Sequence, residues 1–189
     1  IHKYHIDLDW KCRRNIIIPN GTNKSIFKPS QNKKDNNKIN LVTHHWSNNF
    51  MKGHDVYEKI DNWVKDRDDF TFTYIGRSHA SLPNSDLIEP LSGPELGKLL
   101  SSYDVYISAS RWDPGPNHII ESLACELPTY AHVDGGGARE FVGNSHTYKD
   151  TEELISILEK KEYPNNKRFT PNDWNEVIKV YLENISSLL

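Results

Sequence analysis

The chain has 189 residues, of which 36% are apolar and 26% charged, and its formal net charge is −3. This length suits one domain with a single hydrophobic core, and five Trp, nine Tyr and six Phe are available to fill that core. The composition excludes an intrinsically disordered chain. The small negative charge gives no global field that would gather nucleic acid or an anionic membrane, so any anion site must be local.

The cysteines and the start of the sequence bear on the cellular setting. Cys12 and Cys125 are the two cysteines, and Cys125 lies among apolar residues, so a disulfide framework is not expected. No run reaches the roughly 20 apolar residues of a membrane span, and the first residues lack the features of a signal peptide. Because the chain starts at Ile, we expect a fragment of a longer cytoplasmic protein. Peripheral association with a membrane stays open.

Strand and helix patterns alternate along the chain. Runs rich in Val, Ile, Thr and aromatic residues predict strands at 39–45, 70–75, 104–109 and 128–133. Apolar spacing predicts helices over 56–64, 96–103, 151–161 and 172–187. Two of them are expected to begin with capping boxes, Ser92 with Glu95 and Asp150 with Glu153. The alternation indicates an α/β fold in which a Rossmann-like parallel sheet carries helices on both faces. The polar stretch 31–38 predicts a solvated linker ahead of this body.

The loop after the first predicted strand is a candidate site, because ligands bind beyond the carboxyl ends of parallel strands. Lys52 followed by Gly53 suits a phosphate, although a surface lysine without function has the same pattern. His44 and His45 are adjacent and point to opposite faces of a strand, so they are not expected to share a metal ion. We expect one to face the site and the other the core. No ligand spacing typical of a metal site is present, and none is predicted.

The loop and helix from Ser110 to Pro128 have the most specific pattern. A Pro-Gly-Pro turn at 114–116 directs the start of a helix toward the carboxyl edge of the sheet, and its amides at Asn117, His118 and Ile119 form an anion site. Asp113 and Glu121 lie on either side of this site. Carboxylates there suit hydroxyl groups that flank a phosphate, such as a sugar and a ribose. The alternative is that Glu121 only caps or solvates its helix.

These segments resemble the group-one glycosyltransferases of the GT-B fold, whose carboxyl-terminal Rossmann-like domain binds a nucleotide sugar. The resemblance covers about 15–145. Six segments carry it, in chain order: IPNGTNKSIFKP at 18–29, Lys52-Gly53, YIG at 74–76, SGPELGKLLSSYDVYISAS at 92–110, DPGPNHIIESLACELP at 113–128 and GGGAREFVG at 135–143. The first is similar to the family's hinge, and the fifth is similar to its motif of two acids separated by seven residues. The glycines at 135–137 allow close approach to a donor sugar, with a flexible turn as the alternative.

The resemblance implies a role for each matching residue. Glu121 would hold the ribose hydroxyls, Asp113 would meet hydroxyls of the donor sugar, and Lys52 would neutralise the diphosphate together with the helix amides. The backbone of Ile88 would read the base. We name as catalytic Lys52, Asp113 and Glu121, and as donor-binding Ser47, Gly53, Gly76, Arg77, Ile88, Gly115, Asn117, His118, Ile119 and Glu121.

Three positions depart from the family pattern. Asp113 replaces the usual Glu, Glu126 stands where a Gly usually ends the helix, and Ser47 stands where the family has a phosphate-binding Arg. The lost positive charge at Ser47 matters most. His45, Arg77 and Arg111 are the candidates to replace it.

The implied function is that of a retaining glycosyltransferase that uses a UDP- or GDP-linked sugar without a metal or other cofactor. Residues 38–189 would form the donor-binding domain. Residues 1–37 would be the hinge segment, leading from a missing N-terminal domain that holds a glycan or other acceptor. The fragment alone should then bind donor but transfer poorly. The alternatives are a nucleotide-sugar epimerase of the same fold and a noncatalytic nucleotide-sugar binding module.

Overall fold

The fold is a six-stranded parallel sheet, described by a computed structural model over residues 16–34 and 37–187. The strands are β1 Ile39–His45, β2 Phe70–Gly76, β3 Asp86–Ile88, β4 Val105–Ser108, β5 Thr129–His132 and β6 Thr147–Tyr148. The helices are α1 His54–Val64, α2 Gly93–Leu100, α3 Asn117–Ala124, α4 Ala138–Val142, α5 Thr151–Glu159 and α6 Trp174–Ser186. Two 3-10 turns lie at Phe50–Lys52 and Asn144–His146.

The strand order is β3-β2-β1-β4-β5-β6, and every neighbouring pair is parallel. From β1 the chain winds outward through β2 to β3, and it then returns to the centre and winds the other way from β4 to β6. The order therefore reverses between β1 and β4. In sheets of this kind such a reversal opens a crevice at the carboxyl ends of the two central strands.

Helices cover both faces of the sheet, as the sequence predicts for a Rossmann-like α/β fold. One apolar cluster packs α2, α3 and α4 against one face, with Tyr106 and Leu100 fully buried. The other packs α1 and α5 against the opposite face around Tyr57 and Leu154. Strands buried on both faces are rich in apolar side chains throughout, which is why they are recognisable in the sequence.

The four strands expected from the sequence are confirmed to within a residue or two, and two short ones are added. β3 has three residues and β6 has two, so neither offers a run long enough to recognise. The helix ends differ more. Ser92 is the N-cap residue of α2, but its side chain makes no capping bond, so the box with Glu95 is wrong.

At the start of α5 the expected box is half formed. The Asp150 side chain accepts a bond from the Glu153 amide at 2.8 Å, whereas the Glu153 carboxylate accepts one from the Lys149 amide instead of that of Asp150. A complete box begins α6, between Asp173 and Glu176, and the sequence analysis did not identify it.

The segment before β1 packs onto the α/β body. Phe27 is buried in the cluster beneath α2 and α3, and Thr22 forms backbone bonds with Asn172 and Trp174 at the start of α6. In the expected linker, Lys33 donates to the Tyr103 carbonyl at 2.6 Å. Residues 1–15, which include Cys12, lie outside the described part. Within the described part no helix has the length and apolar character needed to cross a membrane.

Candidate functional site

A cavity of about 520 Å³ lies where the strand order reverses. Its walls come from the end of β1, the 3-10 turn, the start of α3 and the segment at 90–96. It brings together eight of the twelve residues named as catalytic or donor-binding: Ser47, Lys52, Gly76, Asp113, Gly115, Asn117, His118 and Glu121. Gly53, Arg77, Ile88 and Ile119 are not among the residues that line it.

Lys52 and Asp113 form an ion pair across the cavity. The Lys52 Nζ donates to Asp113 Oδ2 at 3.0 Å, and both side chains are mostly buried. The other carboxylate oxygen, Oδ1, accepts a bond from the Gly115 amide at 3.2 Å. Lys52 is the only lysine or arginine that lines the cavity within the described ranges. The single positive charge of the site is thus paired with one of its two acids.

The position of Lys52 depends on the residue that follows it. Gly53 ends the 3-10 turn with φ +79°, and a Cβ there would lie 2.2 Å from the Ala109 carbonyl oxygen. The glycine therefore lets the turn pack against the end of β4. Gly76 is similar, because its Cβ would lie 1.9 Å from the His45 carbonyl oxygen. In both cases the close neighbour of the glycine is protein backbone.

The start of α3 offers two free amides rather than the three expected from the sequence. The Ile119 amide donates to the Pro116 carbonyl at 3.0 Å, which corrects the expectation for that residue. Within residues 16–34 and 37–187 the amides of Asn117 and His118 have no acceptor. They point out of the first helical turn, where the helix dipole favours an anion.

The segment at 18–29 reaches the same helix start. The Asn20 side chain donates to Asn117 Oδ1 at 2.8 Å, a contact that joins residues 97 positions apart. Asn117 is thereby fixed at the edge of the cavity. No pattern in the sequence indicated this contact.

Glu121 is held by a residue to which the sequence analysis gave no definite role. His44 Nε2 lies 2.8 Å from Glu121 Oε2, and His44 Nδ1 lies 3.1 Å from the Tyr106 hydroxyl. That hydroxyl accepts the His44 backbone N–H at 3.2 Å, and its own proton can go to Nδ1 or to the His44 carbonyl oxygen at 3.3 Å. Because a carboxylate oxygen accepts and does not donate, Nε2 is the donor in the bond to Glu121. The alternation of side chains along β1 was the signal that placed one of the two histidines here.

His45 and His118 are buried and neutral. Burial is the main cause that holds the pKa of each well below its usual value, and neighbouring positive groups, including Lys52, lower it further. His45 Nε2 lies 2.7 Å from the Tyr57 hydroxyl, and His118 Nε2 lies 2.8 Å from the Ser108 hydroxyl. Neither ring therefore supplies the positive charge that is absent at Ser47.

The other two candidates for that charge point elsewhere. Arg111 forms a two-pronged ion pair with Asp55, at 3.0 and 2.7 Å. Arg77 lies over the ring of Trp46, 4.8 Å from its centre, and donates to the Trp46 carbonyl. Arg77 thus lies at the rim of the cavity rather than within it.

The glycine loop at 135–137 supports the loop that carries Asp113. The Gly137 amide donates to the Asp113 carbonyl at 2.8 Å, and a Cβ on Gly136 would lie 2.6 Å from the same oxygen. These glycines thus allow two backbone segments to approach closely. The sequence had suggested two other reasons for glycine at 135–137, a contact with the donor sugar and a flexible turn. Across the described residues no group of three or more His, Cys, Asp or Glu is arranged to hold a metal ion.

Apolar side chains also line the cavity. They are Phe27, Leu91 and Leu96, together with Ile75 at the end of β2. Ile88 does not reach the cavity and packs against the apolar cluster of this face. The site therefore combines a helix start with two free amides, two acids, one lysine and an apolar recess formed by Phe27, Leu91 and Leu96.

The sequence matches no protein-family model and no curated protein. Solved structures share its fold. HepE of Anabaena, solved in complex with UDP-glucose, matches with a TM-score of 0.73 and 17% identity over 98% of this chain and 61% of its own. The sucrose-phosphate synthase of Thermosynechococcus elongatus matches with a TM-score of 0.64 and 17% identity, over 84% of this chain and 46% of its own.

A third structure is itself a single domain. The C-terminal domain of a glycosyl transferase group 1 family protein, LpcC of Francisella tularensis, matches with a TM-score of 0.61 and 16% identity over 85% of this chain and 98% of its own. The chain therefore has the Rossmann-like fold found in glycosyltransferases of the GT-B type. It spans less than two thirds of the length of HepE and of the sucrose-phosphate synthase.

Proposed function

We propose that this chain is the donor-binding domain of a retaining glycosyltransferase that transfers a sugar from a UDP- or GDP-linked donor to an acceptor. One observation carries the proposal. At the point where the strand order reverses, the free amides of Asn117 and His118 share a cavity with Lys52, Asp113 and Glu121. This set matches three of the four parts of a nucleotide sugar, namely the ribose, the diphosphate and the sugar.

The diphosphate is assigned to the start of α3. Two unpaired amides and the dipole of the helix favour an anion there, and Lys52 is within reach of the same end of the cavity. In the structure Lys52 is paired with Asp113 at 3.0 Å. Binding then requires the ammonium to exchange the carboxylate for phosphate oxygens, which frees Asp113 Oδ2 for a donor hydroxyl.

The ribose is assigned to Glu121 and the base to the apolar recess. His44 holds Oε2 of the carboxylate, so Oε1 is left to accept a bond from a ribose hydroxyl. From Glu121 the base extends toward Phe27, Leu91 and Leu96, where its flat faces lose contact with water.

The chemical step needs charge stabilisation more than proton transfer. The bond between the anomeric carbon and the diphosphate oxygen breaks with its electron pair on the oxygen. A new bond forms between the anomeric carbon and an acceptor hydroxyl, whose proton passes to the leaving diphosphate oxygen. Lys52 and the two helix amides stabilise the negative charge that grows on the leaving diphosphate. This assignment uses no metal.

The remaining parts of the proposal concern the whole protein. Residues 38–189 form the donor domain, and residues 1–37 lead from a part that holds the acceptor in a cytoplasmic enzyme. The chain alone is expected to bind donor and to transfer sugar poorly.

A thermal-shift panel tests donor binding. UDP, GDP, ADP and their sugar conjugates are each added with and without a chelator. A ligand at 100 times its Kd adds about 2.7 kcal/mol, which for a domain of this size raises Tm by about 5 to 10 °C. One nucleoside diphosphate should give such a shift in the presence of chelator. No shift with any nucleotide, or a shift that requires divalent metal, would contradict the proposal. If the larger protein bound the donor but did not turn it over, the result would support a noncatalytic binding module. If it converted the donor in the absence of an acceptor, the result would support an epimerase.

A further inference from the structure

A second cavity, of about 500 Å³, lies where α4 ends. Its walls come from α4, the second 3-10 turn and the segment that joins α5 to α6. No residue lines both this cavity and the one where the strand order reverses. The proposed function therefore gives the second cavity no role.

Three cations and no acid line the second cavity. The cations are Arg139 of α4 and the adjacent Lys167 and Arg168. All three are exposed, and within residues 16–34 and 37–187 none of them forms an ion pair. The chain as a whole has more acidic than basic residues, so this group is not a consequence of its overall charge. Like charges that lie together without a counter-charge attract an anion.

The segment that carries two of the cations has no helix or strand, yet side chains fix its backbone. Asn166 pairs with the backbone of Thr129 in β5, since it accepts from the amide at 2.8 Å and donates to the carbonyl at 3.1 Å. His146 Nε2 lies 2.8 Å from the Pro164 carbonyl oxygen, which only accepts, so this nitrogen is the donor. The segment is therefore held beside the second 3-10 turn before any ligand binds.

The side chain of Arg168 is positioned by the residue that ends α4. Gly143 has φ +78°, and a Cβ there would lie 3.3 Å from the Arg168 Cβ and 3.4 Å from its Cγ. The apolar stem of Arg168 thus lies against the end of α4. The next residue, Phe169, packs on Phe141 with 4.6 Å between the ring centres. These contacts keep the arginine close to the helix that carries Arg139.

A phosphate group matches this arrangement better than a carboxylate does. It carries about two negative charges at neutral pH and has three oxygens that accept hydrogen bonds, so it can contact several cations at once. Each guanidinium presents a planar pair of N–H groups that fits two phosphate oxygens, and the lysine adds a mobile point charge.

We propose that the second cavity binds a phosphate group, with Arg139, Lys167 and Arg168 as its ligands. This inference goes beyond the proposed function and does not depend on it. A free phosphorylated molecule and an anionic lipid headgroup present the same phosphate oxygens. The experiment therefore has one arm for each source.

The first arm uses NMR of the ¹⁵N-labelled chain. Its reporters are the amide resonance of Gly143 and the Nε–Hε resonances of Arg139 and Arg168, which Arg→Gln variants assign. Inorganic phosphate and glycerol 3-phosphate should each shift these resonances, whereas sodium chloride at the same ionic strength should not. A shift of this kind identifies binding of a free phosphate.

The second arm measures co-sedimentation with vesicles. Vesicles of phosphatidylglycerol and phosphatidylcholine are compared with vesicles of phosphatidylcholine alone. Binding that requires phosphatidylglycerol and is lost in Arg168→Gln identifies a lipid headgroup as the source.

A matched pair of variants separates a local site from overall charge. Arg168→Gln keeps much of the stem but removes the guanidinium, so phosphate affinity should fall by about tenfold. Lys160→Gln removes an equal charge from the C-cap residue of α5, which does not line the cavity, and should leave the affinity unchanged. Both variants should keep the Tm of the unaltered chain, because both side chains are exposed.

Two results would overturn the inference. One is that no phosphate compound shifts the reporters and no vesicle binds; the other is that Arg168→Gln and Lys160→Gln lose affinity equally. A phosphate shift confined to the amides of Asn117 and His118 would also overturn it, while it would support the anion site at the start of α3. The failure of this inference is thus distinguishable from the failure of the proposed function.

Discussion

In the proposed function Glu121 binds the ribose, whereas the start of α3 binds the diphosphate. In Glu121→Gln a neutral amide replaces the charged acceptor, while the amides at the start of α3 are untouched. A bond to a charged group contributes about 1.5 to 3 kcal/mol, so the affinity for UDP or GDP should fall by roughly ten- to a hundredfold. The affinity for inorganic diphosphate should hardly change. Calorimetry with both ligands checks this, and equal losses for the two would place Glu121 away from the ribose.

The proposed function gives His44 a positioning role, in which it orients Glu121 for the ligand. Its Nε2 donates to the carboxylate at 2.8 Å, so His44→Leu should weaken nucleoside diphosphates by about tenfold and leave inorganic diphosphate alone. His44→Gln keeps a donor and should recover part of the loss. If the Gln and Leu variants bind equally well, the hydrogen bond has no positioning role.

Lys52 distinguishes catalysis from binding. In a protein that contains the acceptor-binding part, Lys52→Ala should lower kcat by about a hundredfold or more, because a preorganised positive group is lost from the leaving diphosphate. Donor affinity should fall less, since the helix amides remain. Lys52→Arg should restore only part of kcat. The control is Lys59→Ala, at an exposed lysine paired with Glu152 at 3.6 Å, and it should behave as the unaltered enzyme does. A normal kcat for the Lys52→Ala enzyme would contradict the assignment of the diphosphate to this site.

The backbone is strained where α3 ends. Glu126 follows the C-cap residue Cys125 with φ +56°, and its side chain is exposed. This is the position where the resemblance leads one to expect Gly. Glu126→Gly should relieve the strain and stabilise the domain by about 1 kcal/mol, or about 2 to 4 °C in Tm. Glu126→Ala removes the carboxylate but keeps the Cβ, so it should gain nothing. Equal Tm values for the Gly and Ala variants would show that φ carries no cost here.

The elements also show what the sequence alone can predict. Long runs buried on both faces identified β1, β2, β4 and β5, whereas β3 and β6 are too short to carry a pattern. The resemblance, together with the positions of these residues after strand ends, predicted that Lys52, Asp113 and Glu121 would share one cavity, and all three line it. It did not predict that His44 would hold Glu121, because strand periodicity gives the face of a side chain but not its partner, which lies 77 residues away. The Ile119 amide was wrongly expected to be free for an anion. It donates instead to the Pro116 carbonyl, a bond that closes the first helical turn.

Stability of the whole molecule should depend on pH through its buried histidines. Burial lowers the pKa of His45 and His118, and to a smaller extent that of His54 and His132, below the ordinary value. Below about pH 6.5 the unfolded chain therefore binds more protons than the folded one, and stability falls as the pH falls. Each fully buried histidine contributes a slope of up to about 1.4 kcal/mol per pH unit.

Urea unfolding between pH 5 and 8 measures this dependence. His118→Asn should be less stable at neutral pH, because the bond to Ser108 changes, but its slope below pH 6.5 should be shallower. His79→Gln, at an exposed histidine, is the matched control and should keep the original slope. A steeper loss of stability with rising pH would contradict the assignment of neutral buried rings.

The reversal of strand order also governs when the site can form during folding. Its two halves are distant in sequence, since the Lys52–Asp113 contact spans 61 residues and the His44–Glu121 contact spans 77. They meet only when β1 pairs with β4, after the long excursion through β2, β3 and their helices has closed. Such non-local pairing is slow to form because the loop-closure entropy is lost before any contact compensates for it. The cavity is consequently absent from any partly folded chain that lacks this pairing. A ligand that needs the complete cavity would therefore stabilise the folded molecule without accelerating its folding.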